Sequence, residues 1–483
     1  MKLFNTLSRQ VEDFKPIAQG KASVYTCGPT VYDYPHIGNW FTFIRYDILV
    51  RVLKLNGFDV NWVLNITDVG HLISDADEGE DKLEKGARRE GKSAQDIAAF
   101  YTKYFFDGLN RLNFQTPTVL PRATEHIKDQ ISLIETLEQK GFTYIIDDGV
   151  YYDVSKFPDY DKFAGLDMDQ QLETERINPN PMKRNPQDFA LWKFSPKGKQ
   201  RDMEWDSPWG RGFPGWHIEC SAIILALLGE TIDIHSGGID HIPVHHTNEI
   251  AQSQAATGKP LANYWMHTNH ILIDDQKIAK STGNGLTLED VEKAGISLEA
   301  FRLLVLQSHY RTQSRFSWDE LEAAQNRLRS LRAMADLRWQ IVDFDRQDYQ
   351  AEKKSGAYQE YPLEQADFER YTNEITKELN DDLATPKALA YLSEIEEQAN
   401  LRFISKDSEP AFLQFLDFID QALGLRLGDS KDINDTKKAL ISSREAARDV
   451  KDWKKADKLR DKLEAEGLRV RDTAKYGSIW YRI

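Results

Sequence analysis

Residues 22–39, ASVYTCGPTVYDYPHIGN, decide the fold of this chain. ASVYTC (22–27) is rich in β-branched and aromatic residues and reads as a strand. A Gly/Pro turn breaks it, and a helix is expected from about Gly38 to Leu55, with Asn56-Gly57 as its stop. DVNWVLNIT (59–67) then reads as a second strand. Strand, turn, helix and strand open a doubly wound parallel sheet, so the fold class is α/β. In such a sheet the first crossover is where nucleotide phosphates sit, against a helix N-terminus. PHIGN (35–39) occupies that place: His36 can donate to a phosphate, Gly38 lets the backbone approach closely, and Asn39 can donate again. Read alone, a five-residue string of this kind is more often a surface turn.

Outward from this stretch the pattern changes twice. RATEHIKDQISLIETLEQKG reads as a capped helix, followed by the hairpin TYIIDDGVYYDV with Asp-Asp-Gly at its turn and by the polar NPNPMKRNPQDF. These segments, 114–205, are expected to be an insertion that splits the sheet domain. Sheet pattern resumes with a helix at 216–228, the strand TIDIHSGG and a helix from about His245 to Thr257. HTNHILID then reads as a hairpin leading into a loop. Beyond Ser317 the chain is almost wholly helical to about 425, then reaches a charged linker and a small terminal module of two amphipathic helices, a stop at Gly467 and a short hairpin.

Composition bounds what the chain can be. A length of 483 residues exceeds one compact core, and three to five subdomains are expected. No apolar run approaches a bilayer's thickness and MKLFNTLSRQ lacks a signal-peptide core, so no membrane association is expected. Two cysteines exclude a disulfide framework and favour a reducing, cytoplasmic setting. A net charge of −15 does not suggest nucleic acid, but it hides a local patch. From Lys437 onward there are 14 Lys/Arg against 8 Asp/Glu, a local +6 on a chain otherwise at −21. A basic tail is usually a solvated helix surface and gains meaning only if the body of the protein handles a polyanion.

Two constellations carry chemistry. DDQKIAKSTGN (274–284) places Lys277 and Lys280 three apart on a glycine-containing loop. Paired lysines on a loop suit the charge that develops on a triphosphate as pyrophosphate leaves. Together with PHIGN, in this order and at this separation, they form a strong signal. The other constellation joins the two cysteines, Cys27 and Cys220, to PVHHTNEIAQS. His245 and Glu249 are four apart and share a helical face; His246 and Glu249 are three apart and would serve almost as well, so spacing leaves the choice open. Two thiolates, one imidazole and one carboxylate suit a tetrahedral zinc ion.

PHIGN and KIAKS resemble the two hallmark motifs of class I aminoacyl-tRNA synthetases, HIGH and KMSKS. The departures are Asn39 for the last His, and Ile278 and Ala279 for Met and Ser; both lysines and a hydrogen-bonding side chain at 39 remain. SGGID (236–240) resembles the segment that cradles adenosine and ribose in this class. The resemblance narrows to the cysteinyl-tRNA synthetases through CGPTVYDYPHIG, NITD (65–68), WHIEC (216–220), DIHSGGID (233–240), HH-x-NEIAQS and NYWMH (263–267), over essentially the whole chain. It departs at Thr247, where many members carry Glu.

The resemblance implies a Rossmann-like catalytic domain with an inserted connective domain, followed by a helical bundle and a small C-terminal α+β module. The expected boundaries are 1–113 and 206–261 for the catalytic halves, 114–205 for the insertion, 262–325 for the KMSKS-loop region, 326–430 for the bundle and 431–483 for the anticodon-binding module. It implies zinc on Cys27, Cys220, His245 and Glu249. ATP, with Mg2+, is expected on His36, Gly38, Asn39, Gly237, Gly238, Asp240, Lys277, Lys280 and Ser281, of which His36, Asn39, Lys277 and Lys280 are the catalytic set. Cys27, Thr67 and Trp216 would border the amino acid, and Arg448, Trp453, Asp457 and Asp472 would read the anticodon. The expected activity is ATP-dependent ligation of L-cysteine to tRNA(Cys) by a monomer. Alternatives are a cysteine ligase acting on a small amine, and a catalytically silent tRNA-binding paralogue. For Trp453 the residues themselves leave the core of a small domain equally open.

Overall fold

The computed structural model describes residues 1–70, 82–165, 180–196, 198, 201–273, 276–277, 285–344, 361–473 and 477–483. The chain forms two compact units, residues 1–290 with 310–315, and residues 291–309 with 316–483. Among the described residues no helix is long and apolar enough to cross a membrane.

The first unit is built on a four-stranded parallel sheet. β1 (Lys21–Thr26) leads through the Gly/Pro turn to α1 (Ile37–Leu55) and β2 (Asp59–Leu64). α2 (Ala94–Arg111) and α3 (Ile127–Gln139) follow. The chain then makes an antiparallel sheet of β3 (Thr143–Ile146), β4 (Gly149–Tyr152), β5 (Phe189–Phe194) and β6 (Gly212–Pro214), in that order. β6 completes this sheet from beyond residue 205. α4 (Trp216–Leu227), β7 (Ile232–Gly238), α5 (Thr247–Thr257) and β8 (Ala262–Thr268) return to the parallel sheet, whose order is β8-β7-β1-β2. Tyr25 pairs with both Val63 and His235, which puts β1 at the centre of the sheet. β7 is buried along its whole length, as a parallel strand covered on both faces must be.

HTNHILID does not form a hairpin. His267 and Thr268 end β8 in the parallel sheet, while β9 (Ile271–Ile273) pairs antiparallel with β10 (Gln276–Lys277). β8, almost fully buried, belongs to the two-sided core, and Asn269-His270 is an exit from that core rather than a turn. The helix expected from His245 begins as regular α-helix only at Thr247. Ile242–His246 forms a wider turn that starts beside Pro243.

α1 explains much of the packing. Trp40, Phe41, Phe43, Ile44 and Tyr46 are all buried, so the helix is covered on several sides. Trp40 stacks on Phe105 of α2 with ring centroids 5.3 Å apart, and Gly108 makes room for it. A Cβ at Gly108 would stand 2.4 Å from the Trp40 ring. Gly108→Ala is therefore expected to destabilise the chain by about 1–3 kcal/mol through overpacking, read as a lower urea midpoint. On the same helix Asp47 and Arg51 form a buried ion pair at 2.6 Å, and Asp47 also accepts the Gln115 amide, which pins the chain after α2.

The second unit contains the helices α6 (Leu298–Leu306), α7 (Trp318–Ala335), α8 (Gln365–Asn380), α9 (Thr385–Leu401) and α10 (Glu409–Leu423), then the terminal α11 (Asp435–Asp449), α12 (Trp453–Ala465) and the hairpin β11 (Leu468–Asp472) with β12 (Ser478–Arg482). Ile433, Ile441, Leu463, Leu468 and Trp480 form the core of this terminal part. Gln340 ties it to the preceding helices by bonding both the amide and the carbonyl of Trp480.

Candidate active site and metal centre

The carboxyl ends of β1, β2 and β7 open onto a cavity of about 260 Å³. Cys27, His36, Gly38, Asn39, Thr67, Trp216, Cys220, Gly238, Asp240 and His245 all line it. These residues come from segments up to 218 positions apart, and the crevice outside the carboxyl ends of the strands is where ligands of such sheets bind.

His36 and Asn39 do more than face the cavity; they start α1. The Asn39 amide donates to His36 Nδ1 at 3.2 Å, and the His36 amide donates to Asn39 Oδ1 at 3.0 Å, a reciprocal capping box. Two consequences follow for chemistry. An Nδ1 that accepts puts the proton of a neutral ring on Nε2, and an Oδ1 that accepts leaves the Asn39 amide hydrogens as the donors toward a ligand. The first turn of α1 carries no acidic residue, so its positive end is not neutralised. Asparagine at 39 thus keeps the cap closed while retaining a donor.

The floor of the cavity is a close approach of two strand ends. Gly28 donates its amide to Asn65 Oδ1 at 2.8 Å, and a Cβ there would stand 1.6 Å from the Asn65 carbonyl oxygen. Gly28→Ala is expected to push the two strand ends apart. It should cost about 1–3 kcal/mol in urea unfolding and weaken nucleotide binding measured by calorimetry.

The glycine pair 237–238 divides its roles. Gly238 lines the cavity, and a Cβ on it would meet Asp240 at 2.3 Å. Gly237 is not part of the lining. Its missing side chain gives room to the rings of His246 and His241, 2.5 Å and 2.7 Å from where a Cβ would be. Lys277 is described only as backbone, in β10, and Lys280 and Ser281 lie outside the described residues.

Behind one wall of the cavity lies a buried cluster. One donor atom each from Cys27, Cys220, His245 and Glu249 fall within 4.8 Å of one another. A second set, Cys27, His235, His246 and Glu249, meets the same limit. Three residues of the first set line the cavity, whereas neither His235 nor His246 does. His246 is moreover engaged at both ring nitrogens, with His267 Nε2 at 2.8 Å and Cys27 Sγ at 3.4 Å. Of the two histidines that spacing left open, His245 is the one that lines the cavity.

The first set has the character of a metal site. His245 Nε2 lies 2.8 Å from Glu249 Oε1, yet that oxygen has no aligned hydrogen-bond partner, as two donors aimed at a common third point would not. The outer atoms of both side chains are held. His245 Nδ1 meets His217 Nδ1 at 2.9 Å, and Glu249 Oε2 meets His235 Nε2 at 2.6 Å. Such outer contacts orient metal ligands. Electrostatics agree. Burial opposes charge on His245, but Glu249 and Cys220 overcome it and raise its pKa to about 10. Burial likewise opposes charge on Glu249, and His235 and His245 hold it well below the usual carboxylate range. Cys220, which accepts a hydrogen bond from the Cys27 thiol, is lowered to about 7, while burial and the facing Cys220 push Cys27 up. The same donors that share a proton here are those for which a metal would compete. Beside it His241 is kept neutral by burial and by His245, its pKa lowered to about 4.

His217 and His235 were not singled out by the sequence reading, although both lie in segments quoted for their likeness. Strand periodicity could not have exposed His235, because β7 is buried on both faces.

In the second unit Trp453 is 55% exposed and does not serve as a core anchor; Trp480 does. The Arg448 guanidinium lies 5.5 Å from the Trp453 ring centroid. Asp472 takes a two-pronged bond from Arg444, at 2.5 and 2.8 Å, and lies 3.2 Å from Arg448. Asp457 pairs with Arg460 one turn along α12.

Comparison with known proteins agrees with this geometry. The family model described as the tRNA synthetases class I (C) catalytic domain matches residues 13–326, and that of the cysteinyl-tRNA ligase anticodon binding domain matches 430–477. A cysteine–tRNA ligase of Burkholderia lata is 46% identical, over 98% of this chain and 95% of its own length. One from Treponema denticola is 43% identical over 98% of each. Among solved structures, the methionyl-tRNA synthetase of Mycobacterium tuberculosis in complex with methionyl-adenylate superposes with a TM-score of 0.56 at 13% identity, covering 85% of this chain and 93% of that one. A leucyl enzyme, Agrobacterium radiobacter K84 agnB2 LeuRS, gives 0.57 at 10%, covering 87% and 86%; both share the fold. With a catalytic-domain match over most of its length and relatives this similar from end to end, the chain belongs to the cysteine–tRNA ligase family of class I synthetases.

Proposed function

We propose that this chain, acting as a monomer in the cytoplasm, activates L-cysteine with Mg2+-ATP and transfers it to the 3′ end of tRNA(Cys), with zinc selecting the substrate thiol. The observation that carries this reading is the placement of two buried thiols, His245 and Glu249 against the same cavity that the capped start of α1 faces. Bound by Cys27, Cys220, His245 and Glu249, zinc would supply a soft partner for a thiolate that a serine hydroxyl cannot match.

The remaining work falls to the chain. The cysteine carboxylate attacks the α-phosphorus of ATP and pyrophosphate leaves; a ribose hydroxyl of the terminal adenosine then attacks the carbonyl carbon and AMP leaves. His36 Nε2 and the Asn39 amide donate to phosphate oxygens at the N-terminus of α1, where charge accumulates as pyrophosphate departs. Lys277, Lys280 and Ser281 serve the same charge, and Asp240, beside Gly238, accepts from the ribose. Trp216, whose ring centroid is 4.6 Å from that of His245, and Thr67 confine the amino acid and hold the reacting atoms in place. No side-chain nucleophile is needed. Arg448, Trp453 and Asp457 read anticodon bases, with Asp472 holding Arg448.

The test is a zinc assay of the purified chain alongside cysteine-dependent exchange of labelled pyrophosphate into ATP. About one zinc per chain is expected, with exchange that requires cysteine. A zinc-loaded chain without exchange would exclude the ligase, and full activity in a metal-free chain would exclude the role of zinc. Exchange without tRNA charging would point to a ligase for a small amine.

A further inference from the structure

The KIAKS segment (277–281) begins in β10, where Lys277 pairs with Leu272 of β9. β9 in turn follows Asn269 and His270, the exit from the end of β8. α1 holds this stretch along one face. Gly38, Thr42 and Arg45 are spaced four and three apart, so they stand above one another on that face. A Cβ at Gly38 would touch Ile271 of β9 at 3.4 Å, and the Thr268 hydroxyl lies 3.4 Å from that of Thr42. Arg45 makes the firmest of these contacts. Its guanidinium donates to the Asn269 carbonyl at 2.9 Å and to the Ser314 hydroxyl at 2.9 Å, and the Ser314 amide donates to the His270 carbonyl at 3.0 Å.

Arg45 is 4% exposed. Burial lowers its pKa to about 10, so it is charged at neutral pH, and a buried charge must be hydrogen-bonded. Both acceptors bear on the approach to β9, although they lie 224 and 269 positions along the chain from Arg45. Beyond KIAKS the chain meets α1 again. The Leu286 carbonyl accepts the Ile37 amide at 2.8 Å, one of the amides that a helix leaves unpaired in its first turn. That downstream end has a second hold on α2, where Arg111 donates to Glu289 at 2.7 Å and the Tyr104 hydroxyl donates to its other carboxylate oxygen. The helix that starts with His36 and Asn39 therefore also carries the mounting of Lys277. His270 and Ile271, on that mounting, line the same cavity as His36 and Asn39.

We propose that Arg45 is a positioning residue for cysteine activation, fastening β9 and β10 to α1 so that Lys277 acts on the same phosphates as the helix start. This rests on the ligase reading above. Arg45 is not part of the cavity lining and acts through the backbone it holds. A misplacement of about 1 Å in a positioned group can cost about 10²-fold in rate. Because the downstream end keeps its own bonds, loss of Arg45 releases only the upstream mount. Charge stabilisation then weakens as pyrophosphate leaves, while substrate binding is spared.

The test is cysteine-dependent pyrophosphate exchange by the full chain, with Arg45→Met made alone and in a Lys277→Ala background. Arg45→Met should lower kcat by about tenfold or more, with KM for cysteine and zinc content unchanged. In the Lys277→Ala background it should cost about twofold or less, because the group it positions is gone. Arg45→Lys, which keeps the charge but only one point of attachment, should restore part of the loss. Ser314→Ala removes one acceptor and leaves the buried cation in place. It should show the same dependence on Lys277 at a smaller size, about threefold, and serves if Arg45→Met fails to fold. An Arg45→Met or Ser314→Ala chain whose kcat is unchanged, or falls equally with and without Lys277, overturns the assignment. An unmodified chain without cysteine-dependent exchange would instead overturn the ligase reading on which it stands.

Discussion

Cys220→Ser is expected to lower kcat/KM for cysteine in pyrophosphate exchange by about 10⁴-fold and to leave the chain without stoichiometric zinc after dialysis. The substitution changes one atom and no volume to speak of, so packing around α4 should survive. What it removes is one of two soft donors. Cys220 is buried with Cys27, His245 and Glu249, one donor atom from each lying within 4.8 Å of the others, and its thiol is the more readily ionised of the pair. A serine hydroxyl at that place stays protonated and hard, and a poor ligand for zinc. Two readouts separate ligand loss from general damage: zinc content, and ATP binding at the start of α1, which lies in the same cavity but uses other residues. ATP affinity should change little. A Cys220→Ser chain with normal exchange and no zinc would remove the metal from the mechanism.

The parts of this site that were legible in the sequence are those in which local chemistry and order along the chain agree. PHIGN follows a strand and opens a helix, and the structure turns its two polar residues into the cap of that helix. The cysteines stood out because only two occur in the chain, and His245 and Glu249 because they fall one turn apart. Which of His245 and His246 lines the cavity could not be read from spacing, since Ile242–His246 is a wider turn. HTNHILID misled for a related reason. Asn-His between apolar runs looks like a turn, but β8 is held by β7 on its far side, a pairing between segments 30 residues apart that no local signal announces. The mounting of Lys277 was invisible to sequence reading altogether. Arg45 meets Asn269 and Ser314, 224 and 269 residues away, each a residue of ordinary type, and only the fold brings them to one place.

The double replacement Arg448→Ala, Trp453→Ala is expected to reduce kcat/KM for tRNA(Cys) by about 10² to 10³ while leaving cysteine-dependent pyrophosphate exchange unchanged. Trp453 can be removed without opening a core, because it is 55% exposed and the terminal part is anchored by Trp480 instead. An exposed indole with a guanidinium 5.5 Å from its ring centroid offers a stacking face for an unpaired base, and truncating such a face costs about 1–3 kcal/mol per base. Arg448 adds a cation whose position is fixed by Asp472, itself held by two bonds from Arg444. Asp472→Asn alone should therefore weaken charging less than the double replacement, by loosening Arg448 rather than by losing a base contact. The loss should appear mainly in KM for tRNA, because the groups removed bind the nucleic acid and take no part in bond making. It should also shrink as salt is raised, since the part contributed by Arg448 is electrostatic and is screened. A double variant that charges tRNA(Cys) at the original KM would show that the basic face of residues 437–483 is only a solvated surface, and that recognition of the tRNA lies elsewhere in the chain.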